Sequence, residues 1–387
     1  MDKLFINGGY PAIKELGVGV QRINYQLSNE DLEEYYRYAP YFCNYRDRYF
    51  VNEFEKEFSR YIYNNNDGIG IATSSCTSSL KIALKAIGIT NEDEVIVPAF
   101  TFISDASVVL EVGGKVIYAD LEDNRCTIDV EDIKRKISPK TKAIILVHLY
   151  GIPCNVEEIM EFAYEKKLWI IEDCAQALGT KINNQNIGSF GDVACFSFNQ
   201  TKIISSEEGG MVLTRNKEIA RKIKYLINNG FNDKGRIELV EGSSYRMTNI
   251  QAFILQKQLN HIDDLVEKNK RIAKKYHELL MNSGFLQFYN ENYCYCYYPI
   301  LINYKYSHEQ ISWIRKMLFA ENIPFMNTID APLPKITEKN NTYKYDNAEK
   351  HCSNILKLYT YSHYEDEFIS DIVKGINKVL HYADRLT

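Results

Sequence analysis

The chain has 387 residues, a net charge of −5, 45% hydrophobic and 25% charged residues. Its length predicts two or three domains, and its acidic balance argues against a nucleic-acid binder, whose phosphate contacts want a basic surface. No apolar stretch approaches a membrane span, and the first residues, "MDKLFINGGYPAIKELGVG", carry no signal-peptide run, so a cytoplasmic protein is expected. Nine cysteines occur singly, with no CxxC and no Cys/His quartet. Reduced thiols and no metal site are the expectation.

Between residues 68 and 214, short apolar runs alternate with amphipathic stretches. "GIGIATS" (68–74) reads as a strand, "TSSLKIALKAIGI" (77–89) as a helix and "DEVIVPAF" (93–100) as a strand. A helix over 103–114, "KVIYAD" as a strand, a helix over 130–137, and a strand "KAIILVHLYG" over 142–151 follow. The series continues with "VEEIMEFAYEKK" as a helix and with "LWIIED", "DVACFSF" and "GGMVLT" as strands. Seven near-continuously apolar strands separated by helices imply an α/β fold with a mostly parallel sheet covered on both faces. Ligands of such sheets collect at the carboxyl ends of the strands.

Beyond residue 215 the pattern turns helical, with one run over 217–230 and a longer one over 249–284 that Gly284 is expected to cap. The last hundred residues mix strands such as "YCYCYYPILIN" with helices. A large domain over 30–260 and a smaller α+β domain over 261–387, joined by the segment 1–29, are predicted. The Tyr-rich "YNENYCYCYYP" reads as strand and interface of the smaller domain.

Four features fall at strand ends. Ser74, Ser75, Thr77, Ser78 and Ser79 crowd a strand-to-helix turn, which suits either a phosphate at a helix N-terminus or plain capping. Phe102, in "PAFTF", could stack on a flat ring or belong to the core. Glu172 and Asp173 end an apolar strand; alternation points one of them into a site, where a carboxylate could hold a pyridine nitrogen protonated. The other reading is a helix cap. Lys202, in "CFSFNQTKIISSEEGGMVLT", sits on a short loop after a buried-looking strand, where desolvation favours a nucleophilic amine. A phosphate anchor, a stacking aromatic, an acid for a ring nitrogen and a reactive lysine together describe a pyridoxal phosphate site. His148 tempts as a base, but a core or supporting role fits it better. No GxGxxG follows the first strand, so a dehydrogenase is not expected.

The blocks "NGGYPAI", "FVNEFEKEFSRY", "DEVIVPAFTFISDA", "KAIILVHLYGIPCNVEEI", "IIEDCAQALGT", "IGSFGDVACFSFNQTK", "EEGGMVLT" and "YRMTNIQAFILQKQL" resemble the DegT/DnrJ/EryC1/StrS sugar aminotransferases, over nearly the whole chain. The resemblance implies the aspartate aminotransferase-like fold, type I among pyridoxal phosphate enzymes. It implies that Lys202 carries the cofactor and later shuttles a proton, and that Asp173 pairs with the pyridinium. It places Gln176 on the ring hydroxyl, Phe102 on the ring face, and Thr77, Ser78 and Ser197 on the phosphate. Ser244 stands where an asparagine commonly reaches the partner subunit's phosphate, so a homodimer with sites at the subunit interface is implied. Cys76 and Glu207 each replace a usual glycine. Arg246 is a candidate anchor for the donor's carboxylate.

The function implied is transfer of an amino group from L-glutamate or L-glutamine to a keto sugar, nucleotide-linked in preference to a free cyclitol ketone, for surface glycans or a secondary metabolite. Relatives with histidine at the lysine position are sugar 3-dehydratases, and Lys202 argues against that reading. A non-catalytic cofactor-binding or regulatory protein, with Cys76, Glu207 and Ser244 as marks of decay, is the alternative of another class.

Overall fold

The computed structural model describes residues 4, 12–13, 27–38, 48–65, 67–123, 125–302, 305–326, 331–338 and 342–385. Helices α1 (Asn29–Tyr38) and α2 (Tyr49–Tyr63) precede the alternating region. That region runs β1 (Ile69–Thr73), α3 (Cys76–Ala86), β2 (Glu94–Pro98), α4 (Ser104–Glu111), β3 (Lys115–Ala119) and α5 (Val130–Lys136). It continues through β4 (Thr141–Val147), α6 (Val156–Lys166), β5 (Trp169–Asp173), a small hairpin of β6 (Lys181–Ile182) and β7 (Gln185–Asn186), β8 (Val193–Ser197) and β9 (Gly210–Thr214).

Seven of these strands form one sheet in the order β1-β9-β8-β5-β4-β2-β3. Only β9 runs against its neighbours β1 and β8; the other pairings are parallel. The apolar runs are continuous because both faces are packed. Along β2, Val95 and Val97 join one core cluster while Ile96 faces another, with Ile144 and Leu146 of β4. Helix α2 lies across one face, its Phe58 ring 5.0 and 5.3 Å from those of Phe196 and Phe198.

The chain then forms α7 (Lys217–Leu226), α8 (Asn249–Leu259), α9 (Ile262–Leu280), β10 (Leu286–Gln287), β11 (Tyr297–Leu301), α10 (His308–Ala320) and β12 (Phe325–Met326). It ends with α11 (Leu333–Thr337), α12 (Asp346–Asn354), β13 (Ile355–Tyr359) and α13 (Asp366–Ala383). Strands β10, β11, β13 and β12, in that order, make an antiparallel sheet of four. Segments beside the two sheets are hydrogen-bonded to each other: Cys296 N–H, just before β11, donates to the Tyr150 carbonyl, and Leu333 N–H of α11 to that of Ala99, just after β2. Of the segment 1–29, Ala12 and Ile13 donate their N–H groups to the carboxylate and carbonyl of Glu321; most of that segment lies outside the described residues.

Two sequence expectations need correction. The run over 249–284 is two helices: His261, at φ −114° and ψ 15°, leaves the helical region and caps α9. Gly284, at φ 75°, lies beyond the end of α9 and does not cap one continuous helix. The strand expected over 142–151 stops at Val147, because the chain turns through Leu149–Gly151 with Tyr150 at φ 61°.

Candidate active site

A cavity of about 490 Å³ opens at the carboxyl ends of the large sheet's parallel strands. Its walls include Thr77, Phe102, Asp173, Gln176, Ser197 and Lys202, six of the eight residues that the family resemblance assigns to the cofactor. They come from the carboxyl ends of four strands, β1, β2, β5 and β8, or the segments just after them, so the topology brings them together.

At the floor is the N-terminus of α3. Ser75 caps the helix by accepting the Ser78 N–H at 3.1 Å, and the Ser78 hydroxyl lies 2.8 Å from that of Ser75 and 3.0 Å from that of Ser74. Ser79 is turned into the protein, paired with Thr73 at 2.7 Å. The serine cluster therefore does much of the capping that the plainer reading expected, and Ser78 is not on the cavity wall. Thr77 is exposed to the cavity. The N–H groups of Cys76 and Thr77 make no hydrogen bond to a described residue, leaving an open helix N-terminus of the kind that receives anions. Gly210, which starts β9, allows this turn to pack closely, since a Cβ there would lie 2.4 Å from the Ser75 carbonyl.

Asp173 ends β5 with 5% exposure; its Oδ1 accepts the Ala175 N–H at 2.8 Å and lies 3.8 Å from the Cys76 thiol. Glu172 points to the opposite face, as alternation requires. It accepts the N–H groups of Gly188, Phe190 and Gly191 and pairs with His148 Nε2 at 3.1 Å. His148 Nδ1 accepts the Cys154 N–H, so the ring is fixed inside the core and supports the loop that follows β4.

Gln176 accepts the Tyr150 N–H at 2.9 Å through its carbonyl oxygen. Phe102 stands at the cavity mouth, 59% exposed. Ser197 Oγ accepts the Asn199 N–H at 3.3 Å, and the Asn199 carbonyl accepts the Lys202 N–H at 2.9 Å. This tight turn holds the half-buried Lys202 on the wall. Glu207, in the loop that returns to β9, adopts φ 67°. The glutamate thus occupies a left-handed conformation that glycine takes at less cost.

Ser244 and Arg246 are not on this chain's cavity wall. Ser244 is exposed and bridges to Asn228, and Arg246 donates to Asn228 Oδ1 at 2.9 Å.

Sequence reasoning missed two features. Asp105, fully buried on α4, accepts the Thr101 hydroxyl at 2.6 Å through one oxygen, while its other oxygen has no hydrogen-bond donor among the described residues. Burial first, and the neighbouring Asp173 carboxylate second, push its carboxyl well above the usual range. An aspartate on an apolar helix face was the available signal. The other feature is a wall contributed by the four-stranded sheet: Tyr297, Met326 and Lys357. Tyr297 corrects the reading of the Tyr-rich stretch as strand and interface alone.

The sequence model of the DegT/DnrJ/EryC1/StrS aminotransferase family matches residues 45–377. The chain belongs to that family. A UDP-N-acetyl-3-dehydro-alpha-D-glucosamine 3-aminotransferase of Acidithiobacillus ferrooxidans is 34% identical over 329 residues, 81% of this chain and 84% of that protein. A GDP-perosamine synthase of Vibrio cholerae is 38% identical over 229 residues, 59% of this chain; the match spans only 61% of that relative's length. The crystal structure of NtdA from Bacillus subtilis with bound cofactor PMP is 26% identical, with a TM-score of 0.82 over 92% of this chain and 83% of that one. The expected fold, a mostly parallel seven-stranded sheet flanked by helices, is the fold of these family members.

Proposed function

We propose that this chain is a pyridoxal 5'-phosphate-dependent aminotransferase that moves an amino group from L-glutamate or L-glutamine to a nucleotide-linked keto sugar in amino-sugar biosynthesis. The observation that carries the reading is one cavity holding Lys202, Asp173, Gln176 and an open helix N-terminus, in a member of this family.

The residues present fit the cofactor. The free N–H groups at the start of α3, with the hydroxyls of Thr77 and Ser197, suit a phosphate. Ser78 is assigned to the same turn, where its hydroxyl already sets the position of Ser75. The buried Asp173 suits a protonated ring nitrogen. The Gln176 amide, with its oxygen occupied by Tyr150, offers N–H donors to a ring hydroxyl, and Phe102 offers a stacking face. When bound, the cofactor supplies an electron sink for the bonds around the reacting carbon.

Lys202 bears the amine that would attach the cofactor and then carry the proton between the substrate carbon and the cofactor. Asp173 is positioned to hold a proton on the ring nitrogen, helped by the Ala175 N–H that fixes its carboxylate. Val147, Leu149 and Phe100 give the cavity apolar lining that limits water around the reacting groups.

Ser244, exposed and outside the cavity, is assigned to the phosphate of a second subunit, which makes a homodimer part of the proposal. A cytoplasmic location and a division into domains 30–260 and 261–387, joined by 1–29, belong to the same reading. No helix among the described residues is long and apolar enough to cross a membrane. The two sequence relatives are named for a GDP-linked and a UDP-linked sugar, which favours such an acceptor over a free cyclitol ketone.

The test is amine transfer from ¹⁵N-labelled L-glutamate or L-glutamine to a panel of UDP- and GDP-linked keto sugars and one free cyclitol ketone, read by mass spectrometry. Label in a nucleotide sugar supports the proposal, and label in the cyclitol alone redirects it. Cofactor uptake with no label from either donor contradicts it in favour of a non-catalytic protein.

A further inference from the structure

Lys357 occupies the middle of β13, an inner strand of the four-stranded sheet. Its register partners are Pro299 on β11 and Met326 on β12, so the three share one face of the sheet. That face forms the cavity wall opposite the strand ends of the large sheet, and Lys357 lines the same cavity as Lys202.

A lysine here contradicts the apolar pattern of its strand, "ILKLY". It is only 7% exposed. No hydrogen bond or ion pair joins its Nζ to a described residue; the recorded neighbour is the Tyr150 ring, with its centroid 5.9 Å away. The nearby charge is of the wrong sign: Arg315 of α10 donates to the carbonyls of Ser353 and Ile355, at 3.0 and 3.1 Å. Burial first, then Arg315, lowers the Lys357 ammonium to about 8, which leaves most of it charged at neutral pH. A buried ammonium without an anion is costly, and no carboxylate of the described residues forms an ion pair with it. An apolar residue would have completed this wall at less cost.

We propose that Lys357 is an anion anchor of the substrate pocket and takes a carboxylate, either of the amino-acid donor or of a sugar-acid acceptor. This rests on the aminotransferase reading above. A monoanion fits better than a diphosphate. Besides Lys202, which that reading commits to the cofactor, Lys357 is the cation on the wall, and Asp173 and Glu208 make the rest of the lining acidic. A diphosphate recruits several cations. Tyr297 and Met326, the latter the register partner of Lys357, add apolar surface to the same wall.

The experiment compares the cofactor-loaded wild type with Lys357→Met and Lys357→Arg. Cofactor content per chain is measured first by absorbance and is expected to be equal in all three. Binding of glutarate, an unreactive donor analogue, and of galacturonate, a sugar acid, is then measured by calorimetry. A tenfold or greater loss in the Met variant for one probe, with Arg within about threefold of wild type, supports the anchor and names its source. Equal binding of both probes by wild type and Met, on fully loaded protein, overturns the anchor and leaves the aminotransferase reading standing. Failure of the wild type to take up cofactor overturns both.

Discussion

The two walls of the cavity were not equally legible. The wall made by the large sheet is written in runs that a reader can follow: a hydroxyl cluster before a helix, carboxylates closing an apolar strand, and a lysine in a short loop. Each of those positions sits at a strand end, where chain direction alone predicts a ligand site. The wall made by the four-stranded sheet carries no such signature. Lys357 looks like an interruption in a strand, and Met326 and Tyr297 look like ordinary core. Their meaning depends on how one sheet faces the other, which local periodicity does not encode. A parallel α/β sheet thus announces its catalytic face, while the surface packed against it can hold specificity in silence.

Exchanges at the two lysines sharpen this contrast most strongly. Lys202→Ala should lower amine transfer roughly 10³-fold or more, since it removes the group that moves the proton. Single-turnover assays with L-glutamate check this. Lys357→Met should instead spare cofactor uptake and act on substrate affinity. Equal losses of chemistry in the two variants would erase the distinction between the walls.

Asp173→Asn should cost about 10²–10³-fold in the same assay, the scale for losing one preorganised charge partner. Cofactor uptake, measured alongside, separates that loss from an empty site.

The anchor also carries a pH dependence. Lys357 accepts an anion only as the ammonium, so glutarate affinity should be highest near pH 6.5, where the probe is still ionised, and fall as pH rises through about 8. The groups recorded as acting on it are Arg315 of α10, Cys352 of α12, Cys296 before β11 and the Tyr150 ring. Calorimetric titrations between pH 6.5 and 9.5, with Lys357→Arg as the flat control, measure it. A wild-type curve as flat as that of the arginine variant would contradict the assignment.

Asp105 makes a smaller, structural prediction. Its folded carboxyl keeps a proton that the unfolded chain releases above about pH 4. The sign follows: its contribution to stability is fully present below pH 4 and is lost as pH rises. Asp105→Asn does not titrate, retains an acceptor for Thr101 and offers an N–H to Asp173. It should match wild type near pH 4 and exceed it by about 1–2 kcal/mol at pH 7, the scale of a hydrogen bond to a charged group. Urea denaturation at the two pH values tests this. The smallest effect is expected at Glu207. Glycine relieves its left-handed φ of 67° while loosening the unfolded chain, for a net gain of about 0.5 kcal/mol. Thermal melts of Glu207→Gly would show it.

Alternation and apolar continuity were enough to read the seven-stranded sheet, because parallel strands covered on both faces leave that mark. The same reasoning joined α8 and α9 into one helix, since the break at His261 interrupts no apolar periodicity. It extended β4 through Tyr150 and Gly151, whose positive φ values turn the chain inside an otherwise apolar run. In the site, Thr77, Phe102, Asp173, Gln176, Ser197 and Lys202 were legible and do line one cavity. Asp105 was passed over, because a lone aspartate on α4 reads as a solvated position until its burial is seen. The serine cluster was over-read, because capping absorbs hydroxyls that looked available to a ligand.

The division of labour between Lys202 and Lys357 is the central claim, and borohydride trapping tests it most directly. Pyridoxal phosphate is added to the purified protein, the adduct is reduced, and the labelled peptide is identified by mass spectrometry. The account predicts the label on Lys202 in wild type and in Lys357→Met alike, and none on Lys357 of the wild type. Label on Lys357, or none on either lysine, would contradict it.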